Sequence, residues 1–296
     1  MVKDSWIIFN AHPKRSRRLL NILLRYFGTP DAILGLRCSD LVKAPEITSD
    51  FAKELLSNAD DFDLAGEKEL IERHGIRLIS AHDGEYPENL RMMQEPPPLI
   101  YTKGDFIQED RYAVAVIGSR RHSSYGRLAC QKIAGDLAAK GITIVSGMAR
   151  GIDTIAHQAA LEAGGRTIAV LGNGLASCYP PENQQLMEKI FQHGVVISEY
   201  PMNASPLKDH FPERNSVIAG MSLGICVVEA AEKSGSLTTV RAAAENNRSM
   251  YAVPGNIFRH TCQGTNALIR DGAQLVRSAD DILEDLSLVL RGMMKR

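Results

Sequence analysis

Aromatic residues are scarce in this chain, 6% of 296 residues with one tryptophan, so it carries no surface of many stacking rings. An excess of either charge is also missing. The 34 Lys and Arg face 35 Asp and Glu, giving a formal net charge of −1 and a sequence pI of about 6.7. No global field draws in nucleic acid, so any polyanion site must be a local concentration of basic groups. The five cysteines, Cys38, Cys130, Cys178, Cys226 and Cys262, form no C-x-x-C pair and are too dispersed for a zinc ribbon or a disulfide framework. They read as free thiols of a reducing compartment. The N-terminus has no apolar signal core, and the longest apolar span, between Asn215 and Glu229, is shorter than the ~18 residues a bilayer needs. The expectation is a cytoplasmic protein. No G-x-G-x-x-G follows the first strand-like run and no Walker A lysine motif occurs, which disfavours an ordinary dinucleotide or ATP site. The histidines have no ligand spacing, so neither a metal nor a cofactor is expected.

What is present is ordinary globular composition, 44% hydrophobic and 23% charged, at a length that suits one large domain with a small companion. Residues 1–100 read as short helical pieces broken by turns. Leu19, Leu20, Ile22, Leu23 and Leu24 make an apolar stripe, Asp31 is expected to cap a second short helix, and a run from Glu67 to His74 ends at Gly75. Ile76–Ser80 reads as a short strand. Glu95 to Pro98 breaks any helix, and a polar linker is expected to run to about residue 111. From 112 to 290 the pattern changes. Apolar runs ending at Ile117, Val145, Leu171, Ile197, Val228 and Val253 are nearly continuous, as in strands covered on both faces, and helical stretches separate most of them. The fold class is therefore α/β: a doubly wound, mainly parallel sheet, preceded by a small helical domain.

In such sheets ligands bind beyond the carboxyl ends of the strands. Those ends carry Gly118-Ser119-Arg120-Arg121, Ser146-Gly147 through Arg150-Gly151 to Asp153, Gly172-Asn-Gly174, Ser198-Glu199, Glu229 through Ser234-Gly235-Ser236, and Pro254-Gly255. Small residues and hydroxyls beside arginines and helix N-termini suit a phosphate-bearing ligand, although a Gly-Ser at a strand end is also an ordinary tight turn. Asp153 and His157, four apart, read as a helix cap paired with a neighbour, rather than as a catalytic dyad. The polar stretch from Ser205 to Asn215 sets Phe211 among Lys208 and Arg214, with Pro212 expected to hold Phe211 on an extended loop. A cation beside an available ring is the elementary unit of single-strand nucleic-acid binding, and a ring tucked in as a loop anchor is the alternative.

Together these motifs resemble the DprA/Smf family, bacterial DNA-processing proteins of natural transformation. The resemblance rests on Gly118-Ser-Arg120, Ser146 to Asp153 with Ala156-His157, Tyr179-Pro180, Ser198-Glu199, Phe211 to Asn215, Ser234 to Leu237, Pro254-Gly255 and Gly264 to Asn266 with Leu268-Ile269. A weaker match covers Tyr86-Pro87 through Pro98. The resemblance implies an extended Rossmann-like domain that binds single-stranded DNA, protects it and helps load the RecA recombinase, without catalysis. It implies a DNA site of Gly118, Ser119, Arg120, Gly147, Arg150, Lys208, Phe211, Arg214, Asn215, Ser234, Gly235 and Ser236, with Arg120 as the principal phosphate ligand. Two departures stand out. Ser216 follows Arg214-Asn215 where the family often has a second arginine, and no winged-helix domain of the kind many members carry is expected after residue 290. Leu268, Ile269 and Leu275 lie near the last strand and are the expected faces of a homodimer. The competing readings are a phosphoribohydrolase-like enzyme of the same fold family and a protein-interaction scaffold. Against the enzyme, no glutamate directly follows the Ser234–Thr239 loop.

Overall fold

The computed structural model describes residues 2–12, 16–232 and 235–294. Six helices come first: α1 (Asp4–Asn10), α2 (Arg17–Phe27), α3 (Pro30–Leu34), α4 (Cys38–Leu41), α5 (Ser49–Asp61) and α6 (Leu64–His74). Polar caps set their starts. Ser16 accepts the Leu19 N–H, Thr48 the Phe51 N–H and Asp63 the Gly66 N–H. Asp31 does not cap α3 as expected. Thr29 takes that place by accepting the Ala32 N–H, and Pro30 fills the first helical position, where its missing N–H costs nothing. Gly75 ends α6 in the left-handed conformation at φ 61°, as the sequence suggested.

The remainder builds one nine-stranded sheet. Along the chain come β1 (Arg77–Ser80), α7 (Glu88–Arg91), β2 (Leu99–Lys103), β3 (Ala113–Ile117), α8 (Ser124–Ala139), β4 (Thr143–Ser146), α9 (Ile152–Glu162) and β5 (Thr167–Leu171). Next are α10 (Gln184–His193), β6 (Val195–Ser198), α11 (His210–Met221), β7 (Gly224–Val227), α12 (Ser236–Glu245), β8 (Ser249–Ala252), α13 (His260–Arg270), β9 (Gln274–Leu275) and α14 (Ala279–Met294). The spatial order is β1-β2-β6-β5-β4-β3-β7-β8-β9. β3 to β9 run parallel, and all residues of β3 to β7 are buried, which is why those runs are almost purely apolar. β1 and β2 are antiparallel additions beside β6, so the sheet takes in residues from ahead of the expected linker. The stretch from Gly104 to Arg111 is the connection from β2 to β3.

The helical region is docked on the sheet. Trp6, Phe9, Leu20, Leu23 and Phe51 share a core with Leu99, Tyr101, Leu171 and Val196. Polar ties fix the contact near the end of β6. Arg17 pairs with the buried Glu199 at 3.1 Å, the Asn10 amide donates to the Glu199 carbonyl at 2.9 Å, and Glu67 accepts the Met202 N–H at 2.9 Å. At the opposite edge Arg166 grips the buried Asp110 with two bonds of 3.0 Å, and the Thr143 hydroxyl adds a third. Among the described residues no helix is long and apolar enough to cross a membrane, and no three His, Cys, Asp or Glu gather as metal ligands.

Candidate nucleic-acid interface

Parallel strands deliver the ends of β3, β4 and β5 side by side, and α11 returns its first turn across them. The residues that meet there are Arg120, Gly147, Ala149, Arg150, Gly172, Tyr179, Pro180, Phe211 and Arg214. The hollow between them is only about 20 Å³, near the room one water needs and far below the 300–1,000 Å³ of a small-molecule pocket. It suits an oxygen of a ligand that otherwise lies across the surface.

Phe211 is not on an extended loop. It occupies the first turn of α11, with Pro212 just behind it. In the first turn proline forfeits no helix hydrogen bond, so its presence at Pro212 is tolerated there. The ring packs on Gly172, where an added Cβ would lie 3.2 Å from it, and stands 6.0 Å from the Tyr179 ring. Two guanidinium carbons approach it, Arg120 at 5.5 Å and Arg214 at 5.8 Å from its centroid. Phe211 is half-buried.

The two arginines differ in kind. Arg120 is exposed. Arg214 is 5% exposed, and its Nη1 donates to the carbonyls of Gly147 and Val170, the latter at 2.9 Å, while Nε donates to Asn215 Oδ1 at 3.1 Å. Burial lowers its pKa, and the neighbouring carboxylate of Asp153 opposes that shift. Asp153 in turn is pushed up by burial and held back by Arg214 and by the N–H groups of Ala149 and Gly147. Arg214 is thus an interior strut spanning β4 and β5 as well as a lining residue of the hollow. Asn215 is committed as well, donating to the Thr238 hydroxyl at 2.9 Å and tying α11 to α12.

The glycines serve the protein's own packing. A Cβ on Gly118 would lie 2.8 Å from Ile152 and 2.9 Å from the Glu229 carbonyl; one on Gly147 would lie 2.5 Å from Arg214. Ser119 turns its hydroxyl back to the Arg121 carbonyl at 2.9 Å. The N-terminus of α8, expected to receive a phosphate beside Arg120, is filled by the fully buried Glu229. That carboxylate accepts the Ser123 N–H at 2.8 Å and the Ser123 hydroxyl at 2.6 Å. Nothing in the Glu229-Ala-Ala-Glu run distinguished an internal cap from an exposed acid.

Asp153 is not a helix cap either. Gly151 holds that position, and Asp153 sits in the first turn of α9, accepting the Gly147 N–H at 3.2 Å. His157 meets Thr167 instead, Nδ1 to Oγ1 at 2.6 Å, and because that hydroxyl donates to the Ile144 carbonyl, the imidazole is the donor. Burial pushes the His157 pKa down to about 3, so the ring stays neutral.

Arg150 lines the hollow but is paired, its fork engaging both oxygens of Glu182, one at 3.0 Å. Lys208 is exposed just ahead of α11, outside the hollow's lining. Gly235 is exposed with open space where a Cβ would be, while Ser234 and the Ser236 side chain lie outside the described residues. The sequence reading missed Tyr179 as a lining residue and Met148 as a strained one. Met148 has φ 57° in the β4–α9 loop, and Asn183 holds its carbonyl at 2.8 Å. An aromatic directly before Pro180-Pro181 was the available signal for Tyr179. Of the expected dimer residues, Leu268 packs on the core, Ile269 is half-buried, and Leu275 on edge strand β9 is 42% exposed.

The family model of DNA recombination-mediator protein A matches residues 77–287. Protein Smf of Escherichia coli K12 is 42% identical over 225 residues, covering 74% of this chain and 59% of that protein. The chain therefore spans about three fifths of that relative's length. The X-ray structure of DNA processing protein A from Streptococcus pneumoniae superposes with a TM-score of 0.84 at 34% identity, covering 96% of this chain and 98% of that one. A structure described by the single-stranded DNA binding mode of DNA processing protein A from Helicobacter pylori superposes at 0.63 with 30% identity, covering 70% and 98%.

Proposed function

Because the chain belongs to the DNA recombination-mediator protein A family, we propose that it binds single-stranded DNA along the carboxyl edge of its sheet and passes that strand to the RecA recombinase in natural transformation. The observation that carries this reading is the exposed Arg120 guanidinium over the half-buried Phe211 ring. It offers one charge for a phosphate and one face for a base, the pair of contacts a flexible strand supplies at every nucleotide. Lys208 and Gly235 extend the same edge. The protein acts in the cytoplasm as a homodimer joined near Leu275, and it acts by binding rather than by turnover. Its candidate acid–base groups, His157, Asp153 and Glu229, are committed to internal bonds, and the hollow does not enclose a nucleotide.

Oligo-dT affinity measured at several salt concentrations tests this. Arg120→Ala is expected to weaken binding and flatten the salt dependence, since one fewer counterion is released. Phe211→Ala is expected to cost roughly 1–3 kcal/mol with the slope unchanged. If Phe211→Ala binds like the parent, the ring is only an anchor. Hydrolysis of nucleoside monophosphates by the pure protein would revive the enzyme reading.

A further inference from the structure

Phe258 is the most exposed large apolar side chain among the described residues, at 89%, and Ile257 beside it is 71% exposed. They lie in the connection from β8 to α13, on the same carboxyl edge as Arg120. The turn that presents them is pinned. Gly255 and Asn266 exchange two bonds of 3.1 and 3.0 Å, and Asn256 accepts the Phe258 N–H at 2.9 Å through its side chain. A ring held outward by so many bonds is presented rather than frayed.

Glu229 joins this turn to the Arg120 loop. Its carbonyl accepts the Ser119 N–H at 2.7 Å, and its carboxylate binds both the Ser123 hydroxyl at 2.6 Å and the Thr261 hydroxyl at 3.1 Å. The Tyr125 hydroxyl, on α8, donates to the Pro254 carbonyl at 2.8 Å. β8 lies two positions from β3 in the sheet, roughly 10 Å at the usual strand spacing. The two segments so joined, residues 118–135 and 253–270, contain no Asp or Glu. Lys132 and Arg270 pair with Asp136 and Asp271 just beyond them, whereas Arg120, Arg121, Arg127 and Arg259 form no ion pair among the described residues. In a chain of net charge −1 these two segments are locally basic with an aromatic standing among them, and the one exposed acid on the described β7 end between them is Glu232.

We infer that Phe258 is a second stacking platform for the single strand, with Arg121, Arg127 and Arg259 contacting its phosphates, so that the strand runs from the Phe211 hollow across β3 and β7 to the end of β8. The inference rests on the single-stranded DNA reading above and sets the direction and span of the path. Unpaired cations beside a rigid ring favour a polyanion with base faces over an apolar protein partner.

Anisotropy titrations with two labelled oligo-dT strands, of about six and about twenty nucleotides, separate the two ring sites. For Phe258→Ala the ratio of long-strand to short-strand affinity is expected to drop about tenfold, and Phe258→Tyr to restore it. For Arg120→Ala both affinities fall. An unchanged ratio in Phe258→Ala, with Arg120→Ala still weakening both strands, overturns the second platform and leaves the first intact. Failure of the parent to bind either strand overturns both. Sedimentation of Phe258→Ala guards the assignment: conversion of a dimer to a monomer would place the ring in an interface between copies and refute the inference.

Discussion

Arg214 is the residue whose role changes most between motif and structure, and Arg214→Ala tests that change. The substitution leaves the carbonyls of Gly147 and Val170 without their donor and removes a positive charge near the buried Asp153. A charge-assisted bond is worth about 1.5–3 kcal/mol, and Arg214 supplies one each to Gly147, Val170 and Asn215. These losses overlap, since one guanidinium supplies them all, so the expected destabilisation is about 3–5 kcal/mol rather than their sum. It would be read as a shift of the urea midpoint at constant slope, with circular dichroism confirming the parent fold in buffer. Arg120→Ala, which removes an exposed group, should leave the midpoint within about 0.5 kcal/mol. If Arg214→Ala unfolds at the parent midpoint while losing DNA binding, Arg214 is a ligand contact and the strut assignment is wrong.

Glu182→Gln should free Arg150 for phosphate, raising oligo-dT affinity and steepening its salt dependence by about one counterion, read in the same anisotropy titration. His157 should make stability fall with acid. The unfolded ring takes up a proton below its ordinary 6.5, while the buried ring does not until about 3. The unfolded state therefore binds more protons between those values, and stability drops by up to about 1.4 kcal/mol per pH unit as pH falls through that window. Urea midpoints against pH should lose this component in His157→Gln. Leu275→Glu, a change on the exposed edge strand, should give a folded monomer in sedimentation; a parent already monomeric at micromolar concentration would refute the dimer.

The parallel strands were legible because burial on both faces leaves an unbroken apolar signature, as in Ala113–Ile117 and Thr167–Leu171. β1 was legible as Ile76–Ser80 and is found at Arg77–Ser80, whereas β2 was not legible: Leu99–Lys103 follows three prolines, and pairing with β1 and β6 gives it a place. The meeting of the candidate residues at one edge was legible for the same topological reason, since parallel strands must end together. Which groups face outward was not. Arg120 and Arg214 are identical letters near strand or helix ends, and only packing shows that one reaches solvent while the other bonds to carbonyls. Gly118 and Gly147 read as room for a ligand but make room for Ile152 and Arg214, because a close approach by the protein's own atoms leaves the same mark in sequence. Phe211-Pro212 misled because the extended preference of a residue before proline is overridden in the first turn of α11.

The central claim, that this edge grips a flexible strand, is tested most directly by comparing oligo-dT with a blunt duplex of equal length over a range of salt. The single strand should bind more tightly throughout, with log affinity falling against log salt by about 0.7 per phosphate contacted, and the duplex should compete poorly. Equal affinity for the two, or a single-strand affinity indifferent to salt, would contradict it.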